Sequence, residues 1–96
     1  MGVGNGPYGV AVNPDGTKVY VADEESNTVS VITTTTNKVM AMVNVGSVPR
    51  GVAVSPDGTK VYMVNEGSNN VSVIDTVQYF TNWIRKSSIP ITISNI

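Results

Sequence analysis

The sequence contains no cysteine and no histidine, and only 14% of its 96 residues are charged. The lack of cysteine excludes disulfide bonds and thiol nucleophiles. The lack of histidine removes imidazole bases and, with cysteine, the ordinary zinc ligands. A domain of this length buries only roughly 60 to 65% of its unfolded surface, and small cores are commonly reinforced by disulfides, metals or association. Association is the reinforcement that this composition leaves open.

An excess of charge of one sign is also missing. Six Lys and Arg residues stand against seven Asp and Glu residues, for a net charge of −1. Without a basic stripe, nucleic acid is not an expected partner. No apolar run approaches the roughly 20 residues that cross a bilayer, and the first residues do not have the pattern of a signal peptide. With 41% apolar residues, we expect one small compact domain with no membrane partner.

The chain repeats itself with a period of 42 residues. Residues 7–34 return as residues 49–76, with 20 identities in 28 aligned positions. Both repeats contain a tight turn of the Pro-Asp-Gly type, in which proline fixes the first turn position and glycine takes a positive φ. The turn residues are Pro14, Asp15 and Gly16, and Pro56, Asp57 and Gly58.

Segments rich in valine and other β-formers surround these turns. In the first repeat they predict strands over residues 9–12, 18–22, 28–32 and 38–45. Several of the strands are apolar on both faces, which indicates sheets that are covered from both sides. A 42-residue unit of four antiparallel strands in stacked sheets is typical of a β-propeller blade. We therefore predict an all-β fold with a first blade at residues 1–48, a second, three-stranded blade at 49–77 and a divergent tail at 78–96.

The repeated motif also carries a family resemblance. The run P-x-G-V-A-V-x-P-D-G-T-K-V-Y-V, followed by S-N-x-V-S-V-I, resembles the YVTN family of β-propeller repeats over residues 3–77. The resemblance implies a surface-layer-type or secreted propeller, and hence an extracellular or cell-surface location. It also implies that the first strand of each blade is the innermost one. The loop before that strand and the loop between the second and third strands then share one rim.

The tail has two competing interpretations. Residues 77–86 have apolar residues at helical spacing, and isoleucines alternate with other residues over 89–93, as in an edge strand. The tail is either a docking element that covers a neighbour or, as we favour, a divergent replacement for the missing outer strand of the second blade. Truncation or a change of reading frame is a third possibility.

Few residues suggest a chemical role. The acidic run Asp23 to Glu25 offers oxygen ligands for calcium, but its counterpart in the second repeat is Asn65-Glu66-Gly67, so we expect neither a metal nor a cofactor. The carboxylates of Asp15 and Asp57 are explained by turn formation rather than catalysis. If there is a binding surface, we expect it on the shared rim, at Tyr8, Asp23, Glu24, Asn27, Arg50, Glu66 and Asn69.

The expected function is a non-catalytic structural or interaction module that presents loops to a protein or glycan ligand. The alternative is a piece of a propeller hydrolase or lyase resembling lactonases, or a carbohydrate-binding propeller. The absence of histidine, and of repeated carboxylates outside the turns, argues against an enzyme. Two blades leave apolar faces that a second copy can cover head to tail, with the tail bridging neighbours. We favour a ring of three chains with six blades over one of four chains with eight.

Overall fold

The computed structural model of the protein describes residues 2–76 and the backbone of residues 93–95. Eight antiparallel strands form two four-stranded sheets, so the predicted all-β fold of two blades is confirmed. The first blade contains β1 (Pro7–Val12), β2 (Lys18–Asp23), β3 (Thr28–Thr33) and β4 (Lys38–Asn44). The second contains β5 (Pro49–Val54), β6 (Lys60–Asn65), β7 (Asn70–Asp75) and β8 (Ile93–Asn95).

The tail contributes the outer strand of the second blade. Strand β8 pairs antiparallel with β7, with Ile93 opposite Ile74 and Asn95 opposite Ser72. The interpretation of the tail as a replacement outer strand therefore holds for residues 93–95, which complete the sheet of their own chain. The helix predicted over residues 77–86, and residues 89–92 of the predicted strand, lie outside the described residues.

The two sheets pack face to face. The contact is made where β5 lies against β1 and β2. Alternation along the strands determines which side chains meet there. In the first blade, Tyr20 lies opposite Val31 and Ala22 opposite Val29, so these residues share one face. The core between the blades consists of Tyr20, Ala22, Val29, Val31, Val43, Val61, Met63 and Ile74. Among the described residues, no helix is long and apolar enough to cross a membrane.

The hairpins close through the repeated turn. Gly16 and Gly58 have φ values of 75° and 77°, in the left-handed region that favours glycine. In the first turn, the Asp15 carboxylate accepts hydrogen bonds from the backbone N–H of Thr17 at 3.0 Å and from its hydroxyl at 2.7 Å. Each turn therefore combines a left-handed glycine with an aspartate that satisfies the backbone locally.

We expect Gly16→Val to lower the free energy of unfolding by about 1 to 2 kcal/mol, because a β-branched residue resists positive φ. An added Cβ at Gly16 meets nothing within 4 Å, so the cost is purely that of the backbone. Chemical denaturation measures the change. Gly2→Val is the matched control, since Gly2 also has open space around it but no positive φ. Equal stability of the two variants would contradict the assignment of the turn.

The Pro-Asp-Gly turn of the second blade should make the folding stability depend on pH in the acidic range. Backbone and hydroxyl hydrogen bonds from Thr59, and a hydroxyl hydrogen bond from Ser55, lower the pKa of Asp57 from 3.8 to about 2. A pKa that is lower in the folded state adds stability above the unfolded value, and this is lost as the pH falls through the folded value. The thermal midpoint should therefore fall between pH 4 and pH 2, and fall less in Asp57→Asn. Identical pH profiles would refute this role of Asp57.

Candidate functional site

The segments that lead into β1 and β5 lie against the loops that follow β2 and β6. In the first blade the backbone N–H of Glu24 donates to the carbonyl of Gly6 at 2.8 Å. In the second blade the N–H of Glu66 donates to the carbonyl of Val48 at 3.0 Å. Since these two bonds are 42-residue equivalents, the duplication builds the same rim twice. We call the loops at this end of the two blades the rim.

Arg50 is the centre of the rim. Its Nε donates to Oε2 of Glu24 at 2.7 Å, and its Nη1 donates to Oε2 of Glu66 at 2.6 Å. The guanidinium also lies over the ring of Tyr8, 5.2 Å from the centroid. The hydrogen bond to Glu24 is the main cause that raises the pKa of Arg50, and the charges of both glutamates act in the same direction. Arg50 therefore stays cationic between carboxylates from both blades.

A pocket of about 370 Å³ opens beside Arg50, on the side of the second blade that faces away from the first. Its polar wall comes from the rim and its apolar wall from β6 and β7. The lining residues are Arg50, Val64, Asn65, Glu66, Asn69, Asn70 and Val71. Of the residues predicted for the rim, the structure thus brings Tyr8, Glu24, Arg50, Glu66 and Asn69 into one region.

Two other predicted residues have different surroundings. The side-chain oxygen of Asn27 accepts the backbone N–H of Val48 at 3.0 Å, so Asn27 joins the first blade to the segment that enters the second. Asp23 is fully buried and lies beneath the rim, which corrects its prediction as a surface residue. Its Oδ2 accepts the hydroxyl of Ser30 at 2.6 Å, whereas Oδ1 has no partner among the described residues.

A buried polar layer that was not predicted from the sequence lies under the rim. In the second blade, the counterpart of Asp23 is Asn65, whose Nδ2 donates to the hydroxyl of Ser72 at 2.8 Å. Glycines cover both polar pairs closely: a Cβ at Gly4 would lie 2.6 Å from the Asp23 carboxylate, and one at Gly46 would lie 2.7 Å from Asn65 Cγ. The signal was available, because both glycines and both serines recur at the 42-residue spacing.

The calcium ligands considered in the acidic run do not come together. Within residues 2–76, no three acidic side chains lie close enough to hold a metal ion. Glu24 is engaged with Arg50, and Asp23 is engaged with the serine of the buried layer.

Comparison with known proteins identifies the kind of propeller that this chain resembles. The family described as "Lactonase, 7-bladed beta-propeller" matches residues 4–88. No curated protein matches the chain. Among solved structures, hydrazine synthase from Kuenenia stuttgartiensis is 31% identical with a TM-score of 0.74, over 81% of this chain and 23% of that one. The chain therefore spans about a quarter of the length of that structure.

Two further structures have enzyme names. Dihydro-heme d1 dehydrogenase, in complex with DHE, is 33% identical with a TM-score of 0.61, over 75% of this chain and 15% of that one. A putative 6-phosphogluconolactonase from Bacteroides uniformis is 18% identical with a TM-score of 0.62, over 72% of this chain and 22% of that one. At 18% identity, the similarity to the putative 6-phosphogluconolactonase shows a shared fold and nothing more.

The expectation that the protein is not an enzyme is wrong. The matched family is one of lactonases, and a structure with 33% identity is that of a dehydrogenase, so the chain is related to enzymatic propellers. The expectation relied on the missing histidines and on a lack of repeated carboxylates outside the turns. The second reason is wrong, because Glu24 and Glu66 recur at the 42-residue spacing. Proton transfer and charge stabilisation can also use carboxylates and arginine. The rim contains both kinds of group.

The buried layer predicts a reciprocal effect on stability. Asp23→Asn should raise the free energy of unfolding by about 1 to 3 kcal/mol, because an amide, which cannot ionise, costs less to bury than a carboxyl group. The reverse change in the second blade, Asn65→Asp, should lower it by a similar amount. Chemical denaturation of both variants checks the pair. A loss of stability in Asp23→Asn would show that the carboxylate is required where it stands.

Proposed function

We propose, because the chain belongs to the lactonase family of 7-bladed β-propellers, that its two blades are part of a propeller that hydrolyses lactones. In this proposal Arg50 binds the carbonyl oxygen of the substrate. The observation that carries the proposal is the position of Arg50 at the start of an inner strand, held by two carboxylates while its side chain is still 38% exposed.

The guanidinium has donors to spare for a ligand. It carries five N–H groups in a fixed plane, and the bonds to Glu24 and Glu66 engage only Nε and Nη1. The ring of Tyr8 further restricts its orientation. A preorganised cation of this kind stabilises the negative charge that develops on a carbonyl oxygen when water attacks.

The two glutamates are suited to different roles. Glu24 has a side chain that is 26% exposed, and it fixes Nε of the arginine. Glu66 is 59% exposed and can contact water. In the proposed reaction, a water oxygen attacks the acyl carbon and Glu66 takes the proton that the water loses. The bond to the ring oxygen then breaks, and that oxygen receives the proton held by Glu66, which gives an open-chain hydroxy acid and restores the carboxylate.

The charge of the rim indicates a neutral substrate. One cation stands between two carboxylates, so the cluster of Arg50, Glu24 and Glu66 has a net negative charge. A neutral sugar lactone experiences little repulsion there, whereas a phosphorylated lactone experiences more. The acid product is also anionic, which favours its release. The surface-layer-type setting and the cell-surface location implied by the YVTN resemblance stay predictions beside this proposal.

The test is a titrimetric assay of the 96-residue chain with a neutral sugar δ-lactone and with its phosphorylated form. We expect hydrolysis above the uncatalysed rate, with a preference for the neutral substrate. Arg50→Lys keeps the charge but loses the planar donors, and should lower kcat/KM by about 100-fold.

Lys38→Met is the matched control, because this exposed lysine lies at the beginning of β4 in the first blade. It should leave the rate unchanged, and thermal melts of both variants should show that the fold is retained. Full activity in Arg50→Lys, or no acceleration of either lactone by the unsubstituted chain, would overturn the proposal.

A further inference from the structure

We infer that the outer face of the second blade binds the first blade of a second chain of the same sequence, head to tail. The described residues leave one face of each blade uncovered. The outer face of the second blade contains Tyr62 and Val64, and the outer face of the first contains Val10 and Val12. These four side chains are between 40% and 64% exposed, which is unusual for apolar side chains grouped on sheet faces.

The outer face of the second blade duplicates a face that is buried in the first. The counterpart of Tyr62, 42 residues earlier, is Tyr20, which is 1% exposed. The counterpart of Val64 is Ala22, which is fully buried. Both residues of the first blade are covered by the second blade within the same chain. The second blade thus presents a surface already suited to a neighbouring blade.

The outer face of the first blade supplies the matching surface. Val10 and Val12 are the counterparts of Val52 and Val54, which pack against the core between the blades. Each chain therefore exposes both halves of a contact that it already makes internally. Because the two halves differ, two chains join head to tail rather than by a symmetric face.

The pocket beside Arg50 corresponds to a site in the first blade that is already filled by the same chain. We call that site the socket. In the first blade, that socket receives the segment Val48 to Arg50: Asn27 accepts the N–H of Val48, Pro49 is fully buried, and Glu24 binds Arg50. In the second blade, Asn69 and Glu66 stand in the positions of Asn27 and Glu24, and both line the pocket.

The segment that would fill this pocket is already in the docking conformation. The counterpart of residues 48–50 is residues 6–8, of which Pro7 is exposed in the single chain. Gly6 has a φ of 66°, close to the 53° of Val48. In the assembly, the N–H of Gly6 would donate to Asn69, and the hydroxyl of Tyr8 would face Glu66.

Gly9 and its counterpart Gly51 indicate that a strand backbone packs closely against the outer face of the second blade. A Cβ at Gly9 would overlap the carbonyl oxygen of Arg50, so β1 and β5 can meet only because Gly9 has no side chain. Its counterpart, Gly51, has only Val64 near it, at an ordinary 3.5 Å. Contacts within the chain therefore do not require glycine at position 51. Glycine within a strand often marks the close approach of another backbone, which in the assembly is the carbonyl of Tyr8 from the second chain.

Repeating the contact produces a closed assembly. Head-to-tail contacts close into a ring when the rotation permits, and propellers use roughly four to eight blades. Three chains would give six blades, one fewer than the seven in the description of the matched family, and this is the assembly that we propose. The inference is tested by mass and the proposed hydrolysis by activity. The two compete for one surface, because the second chain would fill the pocket beside Arg50 and place Tyr8 next to Glu66.

The test is analytical ultracentrifugation of the 96-residue chain at micromolar concentration. We expect a particle of about three times the chain mass of 10.1 kDa. Gly51→Ala should weaken association at least 10-fold and keep the melting temperature of the isolated chain, whereas Gly2→Ala should leave the mass unchanged. A monomeric unsubstituted chain, or a Gly51→Ala variant that assembles normally, would overturn the inference.

A mixing experiment distinguishes head-to-tail contact from any symmetric one. Val10→Lys blocks the outer face of the first blade, and Gly51→Ala blocks the outer face of the second. Each variant alone should be monomeric. Mixed together, they should form a one-to-one dimer through the one intact pair of faces, and nothing larger. Two monomers that remain separate after mixing would contradict the proposed contact.

Discussion

The contact between the innermost strands of the two blades is the constraint on which the rest of the structure depends. Strands β1 and β5 approach so closely that a side chain at Gly9 would overlap the carbonyl of Arg50. This approach brings the apolar faces of the two sheets together and buries a core that neither sheet could form alone. Its stability is chiefly hydrophobic, because eight apolar side chains are withdrawn from water between the sheets.

The same contact creates the charged rim. Arg50 is the second residue of β5. Its partner Glu66 belongs to the same blade, whereas Glu24 belongs to the first, so the packing of the blades determines the distance between Arg50 and Glu24. Arg50 therefore links the blades and, in the proposed function, also binds substrate. The buried layer below is polar in both repeats, but only the first has a carboxyl group there, where Asp23 stands in place of asparagine. Several differences between the repeats, such as Asp23/Asn65 and Glu25/Gly67, thus fall at the end of the sheets where the candidate site lies.

Duplication explains both the regular fold and its unequal surfaces. The two repeats have nearly the same side chains, yet Tyr20 is buried and Tyr62 is exposed, because only the first blade has a described neighbour on that face. The outer face of the second blade therefore corresponds to the inner face of the first blade. The outer face of the first blade corresponds to the inner face of the second. The inferred assembly uses this correspondence.

The sequence by itself determined the strands, the turns and the number of blades, because these depend on local chemistry: alternating β-formers, the left-handed glycines at 16 and 58, and a repeat that leaves little ambiguity. The family resemblance also predicted Arg50 and Glu66 on one rim. It did not show that Asp23 is buried, that Ser30 contacts it, or that Arg50 joins the carboxylates of both blades. The contact of Ser30 with Asp23 comes from the register of β2 against β3. The contact of Arg50 with Glu24 joins residues 26 positions apart in different blades, and only the packing of one sheet against the next decides it.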